Sequence, residues 1–287
     1  MVEYHVEGGF PIKGTIKASG NKNAALPCIA ACVLTNEPVI LQNIPDIEDT
    51  GVMFDVLRSL GVSVESVGAN AWKVEAKNIE KSEIPAMFTK KIRGSILFAG
   101  PLVARTGKVV MSPPGGDVIG RRRVDTHFLA LQELGVNISA NGQFVFATNK
   151  LVGADIFLDE ASVTATENAV MAAVLAEGQT IITNAASEPH VQDLCKMLIS
   201  MGAKISGVGS NILTIDGVKK LHGTEYRIGP DYMEIGSFIG LAAATKGSIT
   251  ITGVEPRDLR PIKLAFKKLG IHWELDGDSL TVPMGQS

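Results

Sequence analysis

Lys22 stands between Asn21 and Asn23, Arg93 follows 71 residues later, and Thr164 a further 71 after that. Ser162 and Val163 immediately precede Thr164, and Asp231 marks a fourth position of the same kind. Each falls at the start of a segment of small apolar residues patterned for a helix. Equivalent positions in a repeat occupy equivalent places in space, so these side chains should gather where several helix N-termini point. Helix N-termini carry partial positive charge and free N–H donors, which suit phosphate and carboxylate. Lys22 and Arg93 would complete an anion site. The other reading is that each residue caps its helix or is a solvated terminal charge. That reading fits Ser162 and Asp231 better than Lys22 and Arg93, because a cation at a helix N-terminus opposes the dipole.

A second cluster runs Pro114-Gly115-Gly116-Asp117-Val118-Ile119-Gly120-Arg121-Arg122-Arg123-Val124-Asp125-Thr126-His127. The Pro-Pro-Gly-Gly stretch predicts a flexible, exposed loop with an acid at its tip. Three arginines then enter an amphipathic helix carrying Phe128, Leu131 and Leu134. Planar guanidinium forks suit carboxylate and phosphate; a solvated basic face is the alternative. The chain contains no P-loop, no dinucleotide-binding glycine pattern and no zinc-ligand spacing among its five histidines.

The elements that must hold these residues repeat. A Leu-Gly or Met-Gly pair closes an amphipathic segment at Leu60-Gly61, Leu134-Gly135, Met201-Gly202 and Leu269-Gly270. Glycine there supplies a left-handed helix cap, and a short alternating strand follows each time: VSVES, VNISA, AKISG, IHWEL. Upstream in each repeat lies a helix of small apolar residues, NAALPCIAACVL, GSILFAGPLVA, NAVMAAVLAEG and IGSFIGLAAATKG, each followed by an apolar strand. Helices apolar on all sides are buried. The pattern predicts an α/β fold with buried helices and surrounding sheets.

Composition sets the outer limits. A chain of 287 residues allows about two domains. Its 27 basic and 30 acidic residues give a net charge of −3, unlike a nucleic-acid-binding protein. The longest apolar run, Ala24 to Leu34, is 11 residues and contains Pro27, too short to span a bilayer. The N-terminal residues lack the basic start and apolar core of a signal peptide. Cys28, Cys32 and Cys195 read as buried apolar residues rather than a disulfide framework, which fits a reducing cytoplasm.

GTIKASGNKNAALP, GPLVA at Gly100–Ala104, PGGDVIGRRRVDTH and NAASEPHVQD together resemble the UDP-N-acetylglucosamine 1-carboxyvinyltransferases, a family of enolpyruvyl transferases, along the whole chain. The shikimate-pathway relatives would show Ser-Lys-Ser where this chain has Asn21-Lys22-Asn23. The resemblance implies an inside-out α/β barrel of two three-unit domains. Residues 22–229 would form one complete domain, and 1–21 with 230–287 part of the second. It implies transfer of an enolpyruvyl group from phosphoenolpyruvate to the 3-hydroxyl of UDP-N-acetylglucosamine, the first committed step of peptidoglycan synthesis, with no metal or organic cofactor. By the same resemblance Lys22 contacts phosphoenolpyruvate and Asn23 orients the sugar. Arg93 and Arg122 serve the phosphate and uridine-diphosphate region. Asp117 stands where many members have a proton-delivering cysteine. Asp125 and Thr126 lie at the uracil, Ser162, Val163 and Thr164 at the diphosphate, and Asp231 at the hinge between domains.

Departures accompany the match. Arg123 and Thr126 replace a proline and a leucine flanking the nucleobase. The loop often reading Asp-Lys-Val-Ser-Val-Gly is Asp159-Glu160-Ala161-Ser162-Val163-Thr164 here, and Ser187-Glu188-Pro189-His190 replaces Arg-Glu-Pro-Glu. Only four of the family's six units are present, so the expectations are an incomplete portion that is inactive alone, or a complementing C-terminal segment as partner. The proton-accepting base would lie in that missing part. Enolpyruvyl transfer to another uridine nucleotide and a non-catalytic nucleotide-binding module are the alternatives.

Overall fold

A computed structural model describes residues 3–116, 120 and 123–286. Four modules repeat one order, strand–helix–strand–helix–strand–strand. The first has β1 (Lys13–Lys17), α1 (Lys22–Ala31) with a 3-10 extension Cys32–Leu34, β2 (Val39–Gln42), α2 (Glu48–Ser59), β3 (Ser63–Gly68) and β4 (Ala71–Glu75). The second has β5 (Glu83–Ile84), α3 (Ala86–Thr89), a 3-10 segment Arg93–Phe98, α4 (Ala99–Thr106), β6 (Lys108–Met111), α5 (Asp125–Glu133), β7 (Asn137–Ser139) and β8 (Phe144–Ala147). The third has β9 (Asp155–Phe157), α6 (Val163–Ala173), β10 (Gln179–Thr183), α7 (Pro189–Ser200), β11 (Lys204–Ser206) and β12 (Ile212–Asp216). The fourth has β13 (Thr224–Arg227), α8 (Tyr232–Ala244), β14 (Ser248–Thr252), α9 (Arg260–Lys268), β15 (Glu274–Asp276) and β16 (Ser279–Val282).

Each module builds a four-stranded mixed sheet of one design. Its first two strands are parallel and the remaining pairings antiparallel, as in β9-β10-β12-β11. The first and fourth modules exchange their leading strands. β1 pairs with β14, Lys13 opposite Ser248, while β13 pairs with β2, Thr224 opposite Val39. The chain accordingly divides into a larger lobe, Lys22–Ile228, and a smaller one, Met1–Asn21 with Gly229–Ser287.

In the larger lobe the small-residue helices form the core. Every residue from Ala24 to Ala31 of α1 and from Ala165 to Ala173 of α6 is buried. Alanine and glycine permit this close packing. A Cβ on Gly100 of α4 would lie 2.4 Å from the Asn168 carbonyl oxygen of α6. Alternation along the strands turns Val39 and Leu41 of β2, and Val109 and Met111 of β6, into the same core. The leucine- and methionine-glycine pairs end α2, α5, α7 and α9 as expected, with Gly61, Gly135, Gly202 and Gly270 at positive φ.

The second small-residue helix differs from its expected form. Residues 93–98 are 3-10, and α4 starts only at Ala99. Pro101 is the reason: it lacks an N–H, so it fits the first turn of a helix starting at Ala99 but not the interior of one starting at Arg93.

In the smaller lobe Ile235, Ile239 and Ala242 of α8 pack with Ile249, Ile251, Leu280 and Val282 of the sheet. The other side of α8 leaves Met233 and Leu241 exposed, and α9 leaves Leu264 and Leu269 exposed. Cys28, Cys32 and Cys195 are all buried free thiols, and burial raises each well above the ordinary thiol range.

Candidate functional site

Lys22 opens α1, Arg93 opens the 3-10 segment, and Val163 opens α6. All three line one cavity of about 400 Å³ in the larger lobe, together with Asn23, Thr164, Asp49, Lys91, Gly116, Glu167 and His190. The 71-residue period therefore brings Lys22, Arg93 and Thr164 to one place, beside the N-termini of two buried helices.

The cations here have partners. Lys22 Nζ lies 2.8 Å from Asp49 Oδ2, and Lys91 Nζ 3.3 Å from Glu48 Oε1. Both carboxylates belong to the first turn of α2, where the helix dipole favours negative charge. Arg93 donates from Nη2 to the Arg123 carbonyl oxygen at 2.5 Å.

The glycine loop is anchored rather than free. Gly115 N donates to Thr89 O at 2.9 Å and Gly116 N to Lys90 O at 3.2 Å. A Cβ at Gly115 would fall 1.9 Å from Lys90 O, and Gly116 has φ +95°. Only glycine allows this approach, which corrects the expectation of a flexible segment for these two residues. Asp117, Arg121 and Arg122 lie outside the described residues. The arginines precede α5 rather than entering it, because the helix starts at Asp125. Arg123 is exposed and forms an ion pair with Asp125.

Asp125, Thr126 and Ser162 stand off the cavity lining. Thr126 is buried and donates from Oγ1 to Asp159 Oδ1 at 2.8 Å. Ser162 is the N-cap of α6, accepting from Ala165 N. Asp231, in the smaller lobe, is the N-cap of α8, accepting from Met233 N at 3.0 Å and Glu234 N at 3.2 Å. Both show the capping geometry that was one of the two readings for them.

Sequence reasoning missed the polar residues behind the wall. Asn168 is fully buried in α6. It accepts from Gly100 N at 2.7 Å and donates from Nδ2 to Ile96 O at 2.9 Å. The same nitrogen lies 2.9 Å from His127 Nδ1, and His127 Nε2 is 3.1 Å from Thr164 Oγ1. Burial and the nearby Arg93 charge push His127 down to about 3, against a smaller opposing pull from Asp125. Glu167 is buried with Oε1 unpartnered among the described residues. Burial, and secondarily the charge of Glu188, raise it well above the carboxylate range. No local pattern marks these residues, which look like ordinary polar positions of α5 and α6. Among the described residues no cluster of three or more potential metal ligands occurs, and no helix is long and apolar enough to cross a membrane.

The geometry suits an anionic ligand, and comparisons with known proteins bear on which family built it. UDP-N-acetylglucosamine 1-carboxyvinyltransferase of Treponema denticola is 68% identical over 283 residues, covering 99% of this chain and 66% of that protein. The protein of the same name from Treponema pallidum is 60% identical, with 99% and 67% covered. That of Bradyrhizobium diazoefficiens is 50% identical over 286 residues, with 100% and 66% covered. The chain thus spans about two thirds of each relative's length. Among solved structures, the enolpyruvyl transferase NikO from Streptomyces tendae superposes with a TM-score of 0.82 at 23% identity, over 96% of this chain and 66% of that one. An EPSP synthase from Acinetobacter baumannii gives 0.75 at 19%, over 96% and 65%; these two establish likeness of fold. Residues 6–285 match the EPSP synthase (3-phosphoshikimate 1-carboxyvinyltransferase) family model, a span that takes in all four modules, and the chain belongs to that family.

Proposed function

We propose that this chain carries the sugar-nucleotide and phosphoenolpyruvate site of a UDP-N-acetylglucosamine 1-carboxyvinyltransferase. The observation that carries the reading is the convergence of Lys22, Arg93 and Thr164 with the N-termini of α1 and α6 on one cavity. The identity to relatives of that name supports it. In the reaction the 3-hydroxyl of the sugar gives up its proton to a base as its oxygen adds to C2 of phosphoenolpyruvate and the methylene takes a proton. The tetrahedral adduct then loses phosphate together with a proton of the new methyl group, which restores the double bond. Lys22 and Arg93 would balance the charge of phosphoenolpyruvate. Asn23 would orient the sugar, with Ser162, Val163 and Thr164 along the diphosphate and Asp125 and Thr126 toward the uracil. Asp117 would deliver the methylene proton and Arg122 hold the phosphates.

The proposed architecture is the inside-out α/β barrel with four of six modules in this chain. The exposed apolar residues of α8 and α9 support it. The counterparts of α8, α1 and α6, are buried along their length. The counterparts of α9, α2 and α7, bury their apolar faces, and a complementing C-terminal segment would cover those of α8 and α9. Residues 22–229 would form the complete domain, and Asp231 the hinge. On this reading the activity is cytoplasmic.

The test is titration of the 287-residue chain with UDP-N-acetylglucosamine and with UMP, beside a phosphate-release assay with phosphoenolpyruvate. Saturable binding of the sugar nucleotide in preference to UMP, with negligible turnover, is expected. Preference for UMP would replace the proposed substrate. Near-normal turnover would show that four modules suffice for catalysis.

A further inference from the structure

We infer that Asn168 and His127 are positioning residues that make Thr164 a hydrogen-bond donor to an anionic oxygen of the ligand held in the Lys22–Arg93 cavity. The inference rests on the reading of that cavity as the diphosphate region. It adds a specificity element to that region, because Thr164 stands where the resembling family often has glycine, which has no side-chain donor.

The argument is one of direction along a chain of hydrogen bonds. Gly100 N–H can only donate, so the Asn168 atom 2.7 Å from it is the amide oxygen. The Asn168 amide nitrogen is thereby turned toward Ile96 O and His127 Nδ1, both at 2.9 Å. An amide N–H can only donate, so His127 Nδ1 must accept and carries no proton. The imidazole proton is left on Nε2, which faces Thr164 Oγ1 at 3.1 Å. His127 then donates, and the threonine oxygen accepts. The hydroxyl's own proton has no acceptor among the described residues. Thr164 lines the cavity, so that proton points to the ligand.

Burial keeps the relay in this state. Asn168 and His127 are almost completely removed from solvent. A charged imidazole would carry a second proton on Nδ1, facing the asparagine N–H. The Arg93 guanidinium disfavours that charge, and the Asp125 carboxylate opposes it only weakly. A neutral donor suits the site: it offers a proton to the anion without adding a cation beside Lys22 and Arg93. A hydroxyl committed to donate disfavours an N–H or O–H of the ligand at that point, and Lys22 and Arg93 in the same lining select an anionic oxygen among the acceptors.

The experiment uses the 287-residue chain with ¹⁵N-labelled histidine. Long-range ¹H–¹⁵N spectra should show His127 neutral, protonated on Nε2 and unresponsive to pH between about 5 and 8, the signal being assigned by its loss in His127→Gln. Protonation on Nδ1, or titration of His127 in that range, would overturn the inference. This readout needs no ligand and holds whether or not the substrate reading does. Calorimetry with UDP-N-acetylglucosamine and with inorganic pyrophosphate supplies the second arm. Thr164→Val should weaken binding about tenfold, as expected for a lost hydrogen bond to a charged group, while Thr164→Ser stays close to the parent. His127→Gln, whose amide can accept from Asn168 and donate to Thr164, should retain affinity, and His127→Phe should lose it as Thr164→Val does. Equal binding by Thr164→Val and the parent, or binding of neither ligand by the parent, would overturn the donor role. Uptake of pyrophosphate with loss in Thr164→Val, but no uptake of the sugar nucleotide, would support the relay and refute the proposed substrate.

Discussion

Lys22 Nζ and Asp49 Oδ2 lie 2.8 Å apart, joining the first residue of α1 to the first turn of α2. The pairing resolves the conflict between a cation and the dipole of its own helix. Both side chains remain partly exposed, so the pair contributes only about 0–1 kcal/mol to stability. Its larger effect is on the cavity, where the carboxylate competes with any incoming anion for the ammonium. Asp49→Asn should tighten pyrophosphate binding severalfold at low salt and change the melting temperature little. Lys22→Ala should abolish most of the binding. Calorimetry at two ionic strengths checks both, because the gain in Asp49→Asn should shrink as salt is added.

Glu167 should make the fold less stable as pH rises. Its folded carboxyl is held protonated by burial, above the reference value of 4.5. Between that value and its raised native one, the folded state binds the extra proton, so stability falls with increasing pH. Glu167→Gln keeps the neutral shape at every pH. It should melt a few degrees above the parent near pH 8, where about 2–4 °C corresponds to 1 kcal/mol in a chain of this size. The gap should close below pH 4.5. A constant gap across pH would mean the carboxyl is not the titrating group.

His127 acts in the opposite sense. The unfolded imidazole takes a proton below about 6.5 and the folded one only near 3, so stability is lost as pH falls through that window. Between pH 7 and 5 the loss is about 2 kcal/mol. Urea unfolding of the parent and His127→Gln at both pH values should show that increment in the parent alone. Parallel behaviour of the two proteins would exclude His127 as its source.

Gly115 is fixed by the approach of its Cα to the Lys90 carbonyl. Gly115→Ala places a Cβ 1.9 Å from that oxygen, and the loop must move or strain. The expected cost is about 1–3 kcal/mol in unfolding free energy, the range of overpacked sites. Weaker pyrophosphate binding should accompany it, because Gly116 lines the cavity beside Arg93. Unchanged stability would show the segment to be looser than its two hydrogen bonds suggest.

The parts of this molecule readable from the chain are those with a local chemical signature. A glycine at positive φ after a leucine announces a helix end, and Gly61, Gly135 and Gly202 recur at that point of the period. The period then put Lys22, Arg93 and Thr164 in register. Asp49 escaped notice because an acid in the first turn of α2 looks like an ordinary dipole partner. His127 and Asn168 are 41 residues apart on different helices, and no local pattern joins them. The exchange of β1 and β13 was equally silent, since a strand's own residues do not say which neighbour it will pair with. The break before α4 was legible in principle from Pro101, but the run of small apolar residues around it hid the change of helix type.

The exchanged strands also set a timetable for biosynthesis. Val39 and Thr224, partners in one sheet, are 185 positions apart (224 − 39). At translation rates of about 5–20 residues per second, β2 leaves the ribosome some 10–40 s before β13 exists to cover its edge. Until then Val39 and Leu41 belong to an unfinished sheet, and the larger lobe cannot close cooperatively before nearly all of it has been made. β1 waits longer still, since Ser248 is 235 positions beyond Lys13 (248 − 13). Nascent chains halted before residue 224 should therefore remain protease-sensitive around β2, and this protein should draw on chaperones during synthesis more than a fold built from consecutive, self-contained modules.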